Sequence, residues 1–590
     1  MENIESSNNV LDERIGSNVH YRRQSTTPTT ENDEPRRIDP LDLTFHNTKQ
    51  AYKSKKTSEL LRAVFVLYLS QFDSLVFNHA KLTELGRRVM GKRLFHKLME
   101  ATFYGQFVAG KNEVTIKPVL DHLRSFGVKS ILDYSAEEDM PESNEKKNDK
   151  RKSKKDDETG KKYKYDEVLA RPKEHRPVAR TYFYRNEANC EKNMDIFLRC
   201  IDAVAGATYG TGFAAIKLTA LGRPELLLQV SEVIARCRNY FEEITGKQRM
   251  VFGDVSPSEF QKQLDQRFMI NTDNEDIAKF IKRMDYDQRG LMNIFSWNGL
   301  IEMQTLVNDL FLVPNLKTGR MEPIISALTQ EEEEMFRNMM RRLHTIACVA
   351  TEKDVRILVD AEQTYFQPAI NRITLELMRK YNKEKAIIFN TYQCYLKNAY
   401  DTCQIDVELS RRQNFYFGAK LVRGAYQEQE RLRASQLGYE DPINPDYDAT
   451  TAMYEKNLDF FMKKIIETGL ENKKFAIMVA SHNEDTVRYT IKRMQELGIS
   501  PEHRVICFGQ LYGMSDHISF NLGQSGFSVY KYVPYGPIDE VLPYLSRRAL
   551  ENHGVLVNAK KERNLIASEV WRRITTGQFI HRPIGNYRPI

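Results

Sequence analysis

Eight short apolar or β-branched runs recur along the chain and constrain its fold more than any other feature. They are SILDYS, GFAAIKL, RILVDA, AIIFNTY, YFGAKLV, FAIMVAS, RVICFG and VYKYVPY, and most are followed by a stretch with helical apolar spacing. Near-continuous hydrophobic strands that alternate with helices need cover on both faces, which is the condition of a parallel sheet. Eight such units predict an α/β fold closed as a (β/α)8 TIM-like barrel.

Composition narrows the function classes. The 590 residues are 41% hydrophobic, enough for a substantial core, and the formal charge of +7 is small for this length. Spread along the chain, that charge gives no reason to expect a nucleic-acid partner. Seven cysteines without a C-x-x-C pair argue against a disulfide framework and against a zinc site, and point to a reducing compartment. The run AVFVLYL at 63–69 falls far short of the ~20 residues that a membrane-spanning helix needs.

The chain divides by pattern. Residues 1–57 are rich in Ser, Thr, Asn and charge and predict a disordered tail, although MENIESS opens acidic where a mitochondrial transit peptide is basic. Helical spacing over 58–128 predicts an N-terminal helical lead-in, and residues 129–223 the first part of the barrel. A charged loop within 137–178 is densest at 143–164 and reads as solvated. Residues 224–345 predict a helical insertion around DYDQRGLMNIFS at 285–296, which has the outline of an EF-hand loop. Asp285, Asp287, Gly290 and Asn293 fit that outline, but Arg289 stands at position five and Ser296 where the bidentate Glu belongs. A hairpin kept for packing is therefore favoured over calcium binding, and no metal site is assigned. Residues 346–590 complete the barrel and end in a C-terminal clamping helix.

In such barrels the active site lies at the C-terminal ends of the strands. Lys217, Asp360 and His482 end their apolar runs, the fourth run leads to Gln393, the fifth carries Lys420 and Arg423, and the first and eighth include Asp133 and Tyr532. Singly, Lys217 reads as a lysine that snorkels to water and His482 as a structural histidine. Recurring at one end of successive strands, these residues converge on a single mouth. A helix through 544–551 places Tyr544, Arg547, Arg548 and Glu551 within an arc of about 100°. One carboxylate cannot neutralise two guanidiniums, so a small anion such as a carboxylate completes the set. GTGFAA at 210–215 imitates a dinucleotide turn but leads into a strand instead of following one.

Several motifs identify a relationship: KLTALGRPELL, VDAEQTYFQPAI, AKLVRGAY, GYEDPINP, ASHNEDTVR, FGQLYGMSD and KYVPYGPIDEVLPYLSRRALEN, in order through most of 206–555. Together they resemble the eukaryotic proline dehydrogenase (proline oxidase) family. The resemblance implies a distorted (β/α)8 barrel that binds FAD noncovalently and oxidises L-proline to Δ1-pyrroline-5-carboxylate. It also implies electron transfer to ubiquinone and peripheral association with the matrix side of the mitochondrial inner membrane. By motif match, Lys217, Arg547 and Arg548 bind the substrate carboxylate and Glu551 holds the arginine pair. Asp360 and Tyr532 join Lys217 and the arginines as catalytic residues, and Asp133 is a supporting acid. Tyr532, Tyr544 and Leu511 wall the substrate ring while Tyr426 closes the pocket. For the flavin the resemblance implies Ala361, Gln393, Lys420, Val422, Arg423, Ala425 and His482. Bacterial relatives carry Arg at the position of Lys420, and relatives directed at hydroxyproline are smaller at the position of Tyr532.

On chemical grounds, hydride transfer from C5 of an unprotonated amine to flavin N5 is expected, with Lys420 stabilising the negative charge that results. Two rival readings use the same residues differently. Lys217 beside two arginines suits a Schiff-base, aldolase-like enzyme, and residues 285–296 suit a calcium-responsive binding protein. Oligomeric state leaves no mark in the sequence.

Overall fold

A computed structural model describes residues 37–590 apart from 73–77, 136–185, 209, 248–254, 273, 300–306, 326, 327 and 555. The charged loop expected within 137–178 and residues 1–36 of the expected tail lie outside the described residues.

All eight apolar runs form strands of one closed parallel barrel. They are β1 (Lys129–Tyr134), β2 (Phe213–Ile216), β3 (Arg356–Val359), β4 (Ile388–Gln393), β5 (Phe417–Val422), β6 (Phe475–Ala480), β7 (Ile506–Leu511) and β8 (Val529–Tyr535). Strands adjacent in the chain are adjacent in space, and β8 closes on β1 with Ile131 opposite Tyr532. Side chains along each strand alternate in direction. One set, including Ile131, Phe213, Ala215, Leu358, Phe389, Met478, Cys507 and Tyr530, fills the barrel interior. The other, including Leu132, Ala214, Val359, Leu421, Val479 and Val533, packs into the main core with the surrounding helices. At Gly418 an added Cβ would come within 2.6 Å of the Phe389 ring, so the absence of a side chain there lets the interior aromatic fit.

The structure redraws three expected boundaries. The helix Pro224–Thr245 packs on Gln367–Tyr381, and Gln330–Glu352 packs on Glu187–Thr208 and β3. Both therefore belong to the outer layer of the barrel, and the insertion expected over 224–345 narrows to 246–329. Within it, the outline of a calcium loop folds as an antiparallel hairpin, with Asp285 opposite Asn293 and Asp287 opposite Gly290. Asp287 is taken by Arg412, whose Nε donates to Oδ2 at 2.5 Å and whose guanidinium also reaches the Gly290 carbonyl at 2.8 Å. Burial raises the Asp285 carboxyl to about 6. The hairpin is thus tethered to the barrel helix Ala399–Arg412.

The third difference is at the N-terminus, where residues 38–57 are docked and not part of a tail. Phe45, Ala51 and Tyr52 are buried, the last two against Leu565, Ile566 and Val570 of the helix Leu556–Thr575. Arg573, only 1% exposed, ties the contact together. Its guanidinium donates to the Tyr52 and Lys55 carbonyls, each at 2.9 Å, and to Glu569 Oε1 at 2.8 Å. A mean composition hides three well-placed apolar anchors. Arg573→Leu would leave buried Glu569 with Arg572 and Thr48 and take a charged donor from the Tyr52 and Lys55 carbonyls. Urea unfolding should show a loss of about 3 kcal/mol.

Candidate active site

The alternation that fills the barrel interior also builds the mouth. Continuing each inward set by two residues leads from Ile131 to Asp133, from Ala215 to Lys217 and from Leu358 to Asp360. The same step leads from Thr391 to Gln393, from Lys420 to Val422, from Ala480 to His482, from Gly509 to Leu511 and from Tyr530 to Tyr532. These residues line one cavity of about 410 Å³ at the C-terminal ends of the strands.

Asp360 is central. Its Oδ1 pairs with the Lys420 ammonium, and its Oδ2 accepts from the Tyr532 hydroxyl at 2.7 Å. Burial, reinforced by the Asp133 and Asp360 carboxylates, drives the Tyr532 phenol far above its ordinary value, so it stays a donor. Lys420 lies 5.6 Å from the centre of the Tyr532 ring. One carboxylate therefore sets both the ammonium and the phenol.

The helix Ile538–Gly554, which follows β8, carries Tyr544, Arg547 and Arg548 into the same cavity as Lys217. Tyr544 is buried, and the Arg548 guanidinium stacks 4.8 Å from its ring centre. At its start this helix is fixed by Tyr134 donating to Glu540 at 2.5 Å, and by Arg87, Lys92 and His96 gathered on Asp539. The side chain of Glu551 lies outside the described residues; every other expected site residue lines the cavity.

On the opposite side of the mouth, the backbone N–H of Leu511 donates to His482 Nε2 at 3.4 Å, which assigns the ring proton to Nδ1, 2.8 Å from Ser515 Oγ. Burial and the nearby charges of Lys531, Arg548 and His517 lower the imidazole to about 3, so it is neutral at physiological pH. Arg423 donates to Thr451 Oγ1 at 2.9 Å and stacks 4.3 Å over Tyr447, while its Nε and Nη1 are buried without a hydrogen-bond partner among the described residues. The Gln393 amide is oriented by the Glu362 carbonyl at 2.8 Å, and Ala361, Val422, Ala425 and Tyr426 complete this side.

Sequence reasoning missed a supporting layer. Glu362 is buried behind the mouth, accepts from Thr219 Oγ1 at 2.7 Å, and is raised by burial to about 7. Lys531, fully buried, points away from the cavity between Tyr530 and Tyr532. It pairs with Asp516 at 2.8 Å, and the other oxygen of Asp516 pairs with Lys55 at 2.9 Å. Burial alone would raise the Asp516 carboxyl, yet the two ammoniums outweigh it and hold it well below the usual carboxylate range. A readable signal existed: a lysine between two inward tyrosines must face the outer layer and needs an acid there.

Because the Glu362 carboxyl is raised on folding, the stability that its protonated form contributes is complete below about pH 4.5. It is lost as pH rises through about 7. Glu362→Gln imitates the protonated state and should remove that dependence. Urea titrations at pH 4.5 and 8 should show the variant gaining on the parent by on the order of 3 kcal/mol across the interval.

Comparison with known proteins shows the family. The proline dehydrogenase family model matches residues 118–561. Proline dehydrogenase 1, mitochondrial, of Drosophila melanogaster is 51% identical, covering 94% of this chain and 84% of its own length. The Homo sapiens protein of the same description is 47% identical over 91% of both chains. Hydroxyproline dehydrogenase of Homo sapiens is 32% identical, covering 89% of this chain and 93% of its own.

Proposed function

The chain belongs to the proline dehydrogenase family, and on that premise we propose how its barrel mouth oxidises L-proline to Δ1-pyrroline-5-carboxylate, a step of proline catabolism. The observation that carries the reading is convergence. Lys217, Arg547 and Arg548 reach one cavity whose remaining wall includes Tyr532, Tyr544 and Leu511. Three cations suit a carboxylate, and the aromatic and aliphatic wall suits a saturated five-membered ring.

The other half of the cavity fits a flavin dinucleotide. Arg423 presents two buried nitrogens without hydrogen-bond partners among the described residues, which suits an anionic group such as a phosphate. Met478, Ala480 and Gly509 leave a floor of low relief, and Gln393 and neutral His482 supply directed polar contacts. We assign noncovalent FAD to Ala361, Gln393, Lys420, Val422, Arg423, Ala425 and His482. When bound, FAD supplies a two-electron acceptor for the hydride leaving proline C5.

The chain's own residues do the rest. Lys217, Arg547 and Arg548 clamp the carboxylate and so decide which ring carbon faces the acceptor, turning binding into orientation. Tyr532, Tyr544 and Leu511 exclude water from the ring, and Tyr426 closes over it. Asp360 holds Lys420 and Tyr532 in place, so the ammonium stands ready for negative charge that develops during oxidation. Neutral His482 adds no competing charge. The curated names of the relatives place this reaction in mitochondria, and we assign the electrons to ubiquinone at the inner membrane.

Two measurements test the assignment. Arg548→Ala removes a charge-assisted contact of about 1.5–3 kcal/mol and should weaken binding of proline-shaped carboxylic acids roughly 10- to 150-fold without unfolding the protein. Unchanged binding would remove the clamp. Anaerobic L-proline should bleach a flavin absorption band in the purified protein, and a band indifferent to proline would refute the cofactor assignment.

A further inference from the structure

The helix His79–Ala101 is tied to the mouth helix through Asp539, yet much of its apolar surface is bare. Leu82, Leu85 and Val89 are spaced as one helical stripe and are 40%, 56% and 74% exposed. Gly91, with φ +70°, breaks the helix and starts a second stripe of Leu94 and Leu98, 55% and 45% exposed. Phe95 is buried, with the Arg87 guanidinium 5.6 Å from its ring centre. The neighbouring helix Thr57–Leu69 repeats the pattern. It buries Leu60, Ala63, Val66 and Leu67 and exposes Leu61, Phe65 and Tyr68. The short helix Phe103–Phe107 packs against both. Apolar side chains exposed in such rows mark an interaction surface.

Charge says what it meets. Residues 81–100 hold Lys81, Arg87, Arg88, Lys92, Arg93 and Lys97 against only Glu84 and Glu100. Arg87 and Lys92 are engaged by Asp539, whereas Lys81, Arg93 and Lys97 are exposed and form no ion pair among the described residues. A second copy of the chain on this face would oppose two sets of cations, and interface centres are depleted in Lys. Alternating leucines and cations, on helices of which none is long and apolar enough to span a bilayer, suit the headgroup region of an anionic membrane.

We propose that the exposed face of His79–Ala101 docks the enzyme on an anionic lipid bilayer next to the barrel mouth. Docking there shortens the path between the site and a lipid-dissolved electron acceptor. The inference rests on the quinone reading above only for that acceptor, and the docking itself rests on the exposed face.

The experiment uses the full-length holoenzyme and sedimentation with phosphatidylcholine vesicles, with and without cardiolipin. Binding is expected to the cardiolipin vesicles and to fall with salt. The double variant Leu85→Glu, Val89→Glu should bind at least tenfold more weakly, and Arg93→Glu about fivefold or more. L-proline should reduce a soluble dye equally well with parent and variants, while reduction of a quinone dissolved in the vesicles should fall in the variants. Dye reduction and vesicle binding are read separately, so failed proline chemistry is not mistaken for failed docking. Equal vesicle binding by parent and double variant would overturn the proposal. So would a dimer that the double variant splits while vesicle binding stays unchanged.

Discussion

A side chain two residues beyond a buried interior position on a barrel strand has nowhere to point but the mouth. That steric rule is the constraint on which the site depends. Lys217 faces the cavity because Ala215 is packed inside, and Tyr532 because Tyr530 is. Core and chemistry are read from one register, and a one-residue slip of any strand would send its functional group into the helical layer. The ladder hydrogen bonds and the fit of Gly418 against Phe389 hold that register.

Buried charge is the second theme. The mouth concentrates cations, and two buried lysines have fixed counterparts: Lys420 in the cavity with Asp360, and Lys531 behind it with Asp516. Such pairs add little net stability because desolvation offsets attraction. What they supply is position. Asp360 spends both oxygens on aligning a lysine and a tyrosine, and His482 is kept neutral by burial and by the surrounding positive charge. The arginines of the mouth helix are drawn to the cavity by a different device, stacking on Tyr544.

What could be read from the sequence follows from how local each cause is. The eight strands were legible because their hydrophobicity is contiguous, and the polar strand ends because they follow directly from strand position. Arg547 and Arg548 were legible as a charge surplus on one helical face. The docking of 38–57 was not, because Phe45 and Tyr52 find their partners some five hundred residues away. The same distance hid Lys55 with Asp516. Helix Pro224–Thr245 read as part of the insertion because nothing within it says that its neighbour is Gln367–Tyr381. The calcium-loop outline is the reverse case. Its spacing is local, but the outcome was decided by Arg412, a distant cation that claims Asp287.

The clasp between the two ends of the described chain has a consequence for assembly. Strand β1 waits for β8, and Tyr52 waits for Arg573, so the ring cannot close before β8 is made, nor the N-terminal strap before the last helix. During synthesis the growing polypeptide therefore remains an open, threadable string with its first segment unanchored, in contrast to proteins whose leading domain matures early. Passage through a narrow translocation pore, N-terminus first, is compatible with such an order. The molecule becomes resistant to being pulled apart only once its final stretch has emerged on the far side.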